Sequence, residues 1–266
     1  MKIYISADIE GVTGIAHWDE TEKTKSDYQK FAKQMTNEVK AACEGAIKAG
    51  AKEIWIKDAH DTGRNINADE LPQSIRLVRG WSEHPYLMVQ ELDESFDAIL
   101  MIGYHSFGSS SSNPLSHTLS SSTLNYIKLN GEYASEFLIH SYAAATMGVP
   151  VVFISGDEGI CKEANKVNKN IKTVAVNKGV GNSVISIHPQ LAVEKIKEGV
   201  ESILEGDIDK CKIELPEHFK VKLSYKKHIR AFKASFYPGM KQISSTSLVF
   251  ETDNYFEVLR MLLFTT

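Results

Sequence analysis

Five short runs rich in β-branched and aliphatic residues alternate along the chain with longer stretches of helical period. They are Ile3 to Ala7, Glu53 to Lys57, Ala98 to Gly103, Val151 to Ser155 and Thr173 to Asn177. That alternation is the pattern of a layered α/β fold with a largely parallel sheet. Between the first two runs, Tyr28, Phe31, Ala32, Met35, Val39, Cys43, Ala46 and Ile47 recur at helical spacing, and Gly50 supplies a C-terminal cap. This segment reads as an amphipathic crossover helix. Tyr133 to Met147, Glu158 to Asn168 and Pro189 to Leu204 read as further helices, the last opening with a proline suited to a first turn.

After Gly206 the character changes. Val221 to Tyr225, Ile229 to Phe236 and Leu248 to Thr252 favour strands, and Tyr255 to Phe264 closes as a helix. The expected architecture is therefore a three-layer, doubly wound, mostly parallel α/β catalytic domain over residues 1–205. A smaller mixed α+β subdomain over residues 206–266 is expected to pack on it and take part in oligomerisation. With 266 residues, 42% of them hydrophobic and 24% charged, the chain has length and apolar content for a substantial core.

A formal net charge of −4 gives no general attraction for nucleic acid or an anionic membrane, so neither is an expected partner. Cys43, Cys161 and Cys211 are widely spaced, with no C-x-x-C pair, and read as reduced thiols. Acidic residues arrive by Asp8, where a signal peptide would still be apolar, and no apolar run approaches the length of a membrane span. The expected location is the cytoplasm. One biased segment, Ser109 to Pro114 with Ser120 to Ser122 soon after, reads as a flexible polar loop, a mobile lid being the functional alternative.

Metal-ligand residue types collect directly after the first three strand candidates: Asp8 and Glu10, then Asp58 and His60, then His105. In open parallel sheets ligands bind beyond the carboxyl ends of the strands, so these distant residues should converge on one crevice. Asp8 and Glu10 are two apart on an extended chain and point to one side, and Gly11 allows a tight turn and a close backbone approach. Paired carboxylates in a crevice repel unless a cation neutralises them, and mixed carboxylate and imidazole ligands suit zinc, manganese or iron better than calcium.

The series Ser6 to Gly11, Asp58-Ala59-His60, Gly103-Tyr104-His105 and Ser116-His117 resembles, in order and spacing, the M55 family of zinc-dependent D-aminopeptidases. The resemblance implies a two-metal centre formed by Asp8, Glu10, His60, His105 and Glu136, with His117 as the catalytic histidine. Glu136 is preferred over Glu132 because it follows a small residue and opens an apolar helix. It further implies two Zn2+ per chain, with Mn2+ or Co2+ as alternatives, and a short peptide substrate bearing an N-terminal D-residue such as D-Ala-D-Ala. A ring-like homo-oligomer, of decamer size, is also implied. Two departures bear on substrate choice: the serine-rich loop is longer than expected, and Asn182 stands where the family often carries arginine.

Two divalent ions contribute roughly +4 against roughly −3 from Asp8, Glu10 and Glu136, a balance that favours a bound hydroxide. Asp8 is the expected bridging ligand, and Asp58 is expected to orient a ligand histidine. The alternatives from the same residues are a two-metal hydrolase of another amide or a phosphoester, and a non-catalytic metal-dependent binding protein. A serine-hydrolase elbow is poorly matched, since Tyr104 occupies the first glycine position of Tyr104 to Gly108. A phosphate-binding loop fails as well, with Ser109 in place of its lysine.

Overall fold

The computed structural model describes residues 1–266. The strands are β1 (Lys2–Ala7), β2 (Glu53–Asp58), β3 (Ile75–Val78), β4 (Ala98–Tyr104), β5 (Leu124–Leu129), β6 (Glu132–Tyr133), β7 (Val151–Asp157), β8 (Lys172–Val180), β9 (Ser183–Ser186), β10 (Phe219–Tyr225), β11 (Lys241–Ser244) and β12 (Ser247–Thr252). The helices are α1 (Tyr28–Lys48), α2 (Glu136–Ala145), α3 (Glu158–Val167), α4 (Pro189–Leu204), α5 (His228–Ala234) and α6 (Tyr255–Thr265). None is long and apolar enough to cross a membrane.

The main sheet has the order β3-β2-β1-β4-β7-β8-β9, parallel throughout except for the hairpin strand β9. From β1 the chain winds outward through β2 to β3, then returns to β4 on the other side of β1 and proceeds to β7 and β8. The winding direction therefore reverses between β1 and β4, and a crevice opens at the carboxyl ends of those two strands. β4 and β7 are buried along their whole length, which explains why they read as continuous apolar runs rather than alternating ones. Helices α1 and α4 pack on each other against one side of the sheet. Gly45 makes that contact close, since a Cβ there would lie 2.4 Å from the Lys197 carbonyl oxygen.

A second, antiparallel sheet has the order β11-β12-β10-β5-β6. Its strands β10, β11 and β12 come from residues 206–266, but β5 and β6 come from residues 124–133, in the middle of the chain. The expected boundary near residue 205 thus does not separate the two sheets, and a single apolar core runs through both. The reason is that β5 and β6 occupy the long connection between β4 and α2. This connection starts in the crevice and returns to it.

Two local expectations are corrected. Ile229 to Phe236 is not a strand: helix α5 occupies His228–Ala234. Ile229, Phe232 and Phe236 suggested β structure by composition, but buried Ala231 and Ala234 lie three apart, on the inward face of a helix. The helix expected from Tyr133 begins instead at Glu136, capped by Ser135, whose Oγ accepts from Leu138 N at 3.1 Å.

Candidate metal centre

Each ligand candidate is placed by the end of a strand or the start of a helix. Beyond β1 the chain leans on β4, with Asp8 N donating to Ile102 O and Gly11 N to Gly103 O, both at 2.8 Å. A Cβ on Gly11 would lie 1.8 Å from the Tyr104 carbonyl oxygen, so glycine is required for the close approach read from sequence. His60 follows β2 by two residues and His105 follows β4 directly. Glu136 is the first residue of α2, where the helix dipole favours a carboxylate. Glu132, its neighbour in sequence, is exposed and paired with Lys166 at 3.1 Å.

These residues meet in two adjoining groups, Asp8 with Glu10 and His60, and His105 with His117 and Glu136. Asp8 joins them: Oδ1 is 3.4 Å from His60 Nδ1, and Oδ2 is 3.5 Å from His105 Nε2. Glu10 Oε2 lies 3.1 Å from His60 Nδ1, and Glu136 Oε2 lies 3.3 Å from His105 Nε2. His117 Nε2 is 3.8 Å from Glu136 Oε1.

The tautomers follow from the backbone. His60 Nε2 donates to Thr21 O at 3.0 Å, His105 Nδ1 to Ser106 O at 3.0 Å, and His117 Nδ1 to Leu115 O at 2.9 Å. A carbonyl oxygen only accepts, so in each ring the proton sits on that nitrogen and the other nitrogen of the neutral ring presents a lone pair. Those lone pairs face carboxylates. Lone pair against lone pair, in a site where Asp8 and Glu10 are each 2% exposed, is tolerable only if a proton or a cation lies between. Asp8 Oδ2, Glu10 Oε2 and His105 Nε2 are buried with no hydrogen-bond partner. Metal–ligand bonds of about 2.0–2.2 Å at tetrahedral angles hold their ligand atoms about 3.3 Å apart, so the spacings of Asp8 and Glu10 from His60, and of Asp8 and Glu136 from His105, fit a transition metal at each ring, while His117 stands farther off.

Without cations, protons take their place. Burial alone would lower the His60 and His105 imidazoles, but Glu10 and Asp8 around the first, and Glu136 and Asp8 around the second, hold both well above their ordinary range. Burial likewise works against ionisation of Glu10 and Glu136, yet the facing imidazoles dominate. Glu10 is held well below its usual value, and Glu136 falls to about 2. Asp8 goes the other way, raised by burial and by the Glu10 charge. His117 is lowered, chiefly by burial and then by His105.

Asp58 does not orient a ligand ring, contrary to expectation. Its carboxylate accepts from Asn65 N at 2.5 Å, Asn65 Nδ2 at 2.8 Å and Ile66 N at 2.8 Å, and Asn65 Nδ2 also donates to His60 O at 2.7 Å. It therefore holds the loop that carries His60. Asp157, at the end of β7, was missed although the strand-end rule points to it. Its carboxylate binds Ser106 N at 2.7 Å and Asn113 Nδ2 at 3.2 Å, and Asn113 Nδ2 reaches Glu10 O at 3.1 Å. Asn177 in β8 clamps the turn after Glu10, donating to Val12 O at 2.8 Å and accepting from Gly14 N at 3.0 Å.

Of the serine-rich segment, Ser109 to Pro114 is tied down rather than free, and Ser121 lines the crevice. Leu115 N donates to Asn113 Oδ1, Ser116 Oγ to Ser110 O, and Gly179 N to Ser112 O, which ties the segment to itself and to β8. Asn182 sits in the exposed turn between β8 and β9 and is not among the residues lining the crevice. Above the centre lies a cavity of about 460 Å³, walled by Trp18, Trp81, Leu87, Met88, Leu119 and Leu263. Trp18 meets His117 edge-on at 5.3 Å.

The sequence model of the M55 peptidase family, described as D-aminopeptidase, matches residues 1–264. A D-aminopeptidase of Bacillus subtilis (strain 168) is 26% identical over 266 residues, which cover 99% of this chain and 96% of that protein. Among solved structures, the Zn-dependent D-aminopeptidase DppA from Bacillus subtilis, described as a self-compartmentalizing protease, superposes with a TM-score of 0.90. The identity there is 25%, over 99% of this chain and 96% of that one.

Proposed function

Because the chain belongs to the M55 peptidase family of D-aminopeptidases, we propose that it releases N-terminal D-amino acids from short peptides, D-Ala-D-Ala among them. It is a metal-dependent aminopeptidase, and zinc is the metal that the similar DppA requires. One ion would be held by Asp8, Glu10 and His60, the other by Asp8, His105 and Glu136. The observation that carries this reading is that His60 Nδ1 and His105 Nε2 are aimed at buried carboxylate oxygens, among them Asp8 Oδ2 and Glu10 Oε2, which have no hydrogen-bond partner. Mn2+ or Co2+ would suit the same mixed donors.

When bound, the ions supply the Lewis acidity that polarises a scissile carbonyl and lowers the pKa of the attacking water toward ~7. The chain's own groups do the rest. His117, anchored through Nδ1 to Leu115 O, offers Nε2 to take up a proton and pass it to the leaving amine. Burial keeps that ring neutral, and thus able to accept a proton, near neutral pH. Asn113, Asn177 and Asp157 fix the turn carrying Glu10 and the backbone after His105, so the carboxylates do not spread apart under their mutual repulsion.

We also place the protein in a homo-oligomer, a ring such as a decamer, and assign the region 206–266 a share in assembly. The self-compartmentalizing DppA supports this, as does an apolar surface at Ile229, Phe232 and Phe236, which are 64%, 58% and 73% exposed. Three buried free thiols fit a reducing compartment, the cytoplasm.

The deciding experiment compares D-Ala-D-Ala with L-Ala-L-Ala and a generic phosphoester, on protein stripped by chelator and then resupplied with zinc, manganese or cobalt. Metal-restored cleavage of the D,D-dipeptide, with about two metal equivalents per chain, is expected. Failure to bind metal, or cleavage of the phosphoester alone, overturns the proposal.

A further inference from the structure

The outer half of the cavity carries a chemistry that the metal centre does not explain. Among the residues lining it there is no lysine and no arginine. Beyond Asp8, Glu10 and Glu136 on the floor, its wall holds three more carboxylates, Glu22, Asp61 and Glu83, all solvent-exposed at the mouth. None of the three has an ion-pair or hydrogen-bond partner for its side chain. Some surface carboxylates are paired, as in Glu44 with Lys197 at 2.7 Å and Glu251 with Lys220 at 2.8 Å, and others such as Glu94, Glu205 and Glu217 are exposed without a partner, but Glu22, Asp61 and Glu83 converge on one cavity. The same cavity has the buried, unpartnered Asp8 Oδ2 and Glu10 Oε2 of the metal centre at its floor, so whatever reaches that centre passes these three carboxylates.

The aromatic wall beside these acids is held rigidly. Trp81 donates its indole N–H to Asp61 O at 2.6 Å, and the buried ammonium of Lys57 lies 3.9 Å from the Trp81 ring centroid while donating to Gly80 O at 2.5 Å. Lys57 is absent from the lining, so its charge does not offset the rim acids from inside the cavity.

In an aminopeptidase the scissile carbonyl sits at the metals with a single residue on its amino side. The longer remainder of the peptide must leave through the open end. The rim therefore meets the residue after the scissile bond. We infer that Glu22, Asp61 and Glu83 select substrates whose second residue carries a positive charge, and disfavour a free or side-chain carboxylate there. This rests on the aminopeptidase reading and adds the substrate class to it. An acidic, aromatic-walled mouth attracts an ammonium or guanidinium through unpaired charge and ring faces. The same field opposes the carboxylate terminus of an unmodified dipeptide.

The test uses zinc-loaded full-length protein and three amidated dipeptides of identical length, D-Ala-D-Lys-amide, D-Ala-D-Ala-amide and D-Ala-D-Glu-amide, with free D-Ala-D-Ala beside them. At low salt, kcat/KM should fall in the order Lys, Ala, Glu, with about tenfold or more between the extremes, carried mainly by KM. The amide should exceed free D-Ala-D-Ala. In about 0.5 M salt the spread should contract toward unity, because exposed charges are screened over a few ångströms. This arm needs no variant. In the charge-neutral triple variant Glu22→Gln, Asp61→Asn, Glu83→Gln, with metal content and circular dichroism confirming the fold, the Lys-to-Glu ratio should drop to within about threefold.

Cleavage of all three amides with a wild-type ratio near one overturns the inference and leaves the aminopeptidase reading standing. A large ratio unaltered in the triple variant overturns the role of the rim. Cleavage of none of the substrates by the metal-loaded protein overturns the aminopeptidase reading itself.

Discussion

His105 and His117 lie face to face, ring centroids 4.3 Å apart and planes 9° from parallel. Only His105 aims its free nitrogen between two carboxylates, Asp8 and Glu136. His117 stands on the cavity side of that stack, and its nearest carboxylate oxygen is 3.8 Å away. On the proposed reading, position separates two chemically identical side chains into a ligand and a proton carrier. Two protonated rings could not remain stacked at this separation, which favours a His117 that gains its proton only during turnover.

His117→Ala should therefore retain both metal ions while kcat falls by about 10²–10⁴, the usual worth of a positioned acid–base group. Plasma emission analysis and steady-state kinetics on the same preparation check this. Loss of one metal equivalent would instead make His117 a ligand.

Asp8→Asn should separate metal binding from stability in opposite directions. It removes one of three buried carboxylates, so the chelator-treated variant should melt at a higher temperature than chelator-treated wild type. It also replaces by an amide nitrogen one of the two oxygens through which Asp8 reaches both groups. Saturating zinc, worth about 2.7 kcal/mol at a hundred times its dissociation constant, should raise the wild-type melting temperature by several degrees and the variant's far less. Equal zinc-induced shifts in the two proteins would remove Asp8 from the bridging position.

Most of this centre was legible because parallel sheets gather strand ends, so Asp8, Glu10, His60 and His105 could be read from position alone. Glu136 and His117 lie on a long excursion through β5 and β6, and only the family resemblance reached them. The contribution of β5 and β6 to the second sheet was hidden because pairing Lys222 with Lys128 and Leu223 with Ile127 joins segments almost a hundred residues apart. Asp58 misled because a carboxylate two residues before a histidine suggests a direct contact, whereas backbone amides of the following loop reached it first. In α5, aromatic and β-branched composition outweighed the spacing of two alanines.

Gly11→Ala should be among the most damaging single-methyl changes available. The added carbon would meet the Tyr104 carbonyl oxygen at 1.8 Å, so the turn must lift from β4 and break the Gly11 N to Gly103 O bond. A loss of more than about 3 kcal/mol is expected, together with loss of metal, since Asp8 and Glu10 move with the turn. Gly50→Ala is the control: φ there is +90° with open space around it, so only the left-handed strain of about 1 kcal/mol applies. Urea denaturation and metal content of the two variants make the comparison, and similar losses in both would show that the approach to Tyr104 is not the constraint.

Phe232→Glu combined with Ile229→Lys tests the assembly surface. Phe232, on the outward face of α5, forms an edge-to-face pair with Phe236 in the turn that follows, centroids 5.2 Å apart, while the inward face of the helix is made by Ala231 and Ala234. Charging the outward face leaves that packing intact, so the protomer should stay folded by circular dichroism. Light scattering after size exclusion should show dissociation into smaller species. An unchanged mass would place the contact elsewhere.

Glu163 offers a pH dependence outside the ligand set, one residue removed from it through Ser135, the cap of the helix that opens with Glu136. Its Oε1 accepts from Ser135 Oγ at 2.7 Å, while Oε2 is buried without a partner. Burial pushes its pKa up to about 7 against an ordinary 4.5. Between about pH 4.5 and 7 the unfolded chain has released this proton and the folded chain still holds it. The folded state then binds more protons, and the contribution of Glu163 to stability declines as pH rises through that window. It is fully present below the unfolded value and gone above the folded one. Glu163→Gln keeps an oxygen for Ser135 and cannot ionise. Relative to wild type it should gain about 1–3 kcal/mol between pH 5 and pH 8, since each tenfold change in an ionisation constant is worth about 1.4 kcal/mol. Denaturant titrations of both proteins across that range, taken as differences, cancel the titration of the metal centre common to both. A difference independent of pH would show that Glu163 ionises in the folded protein as it does in water.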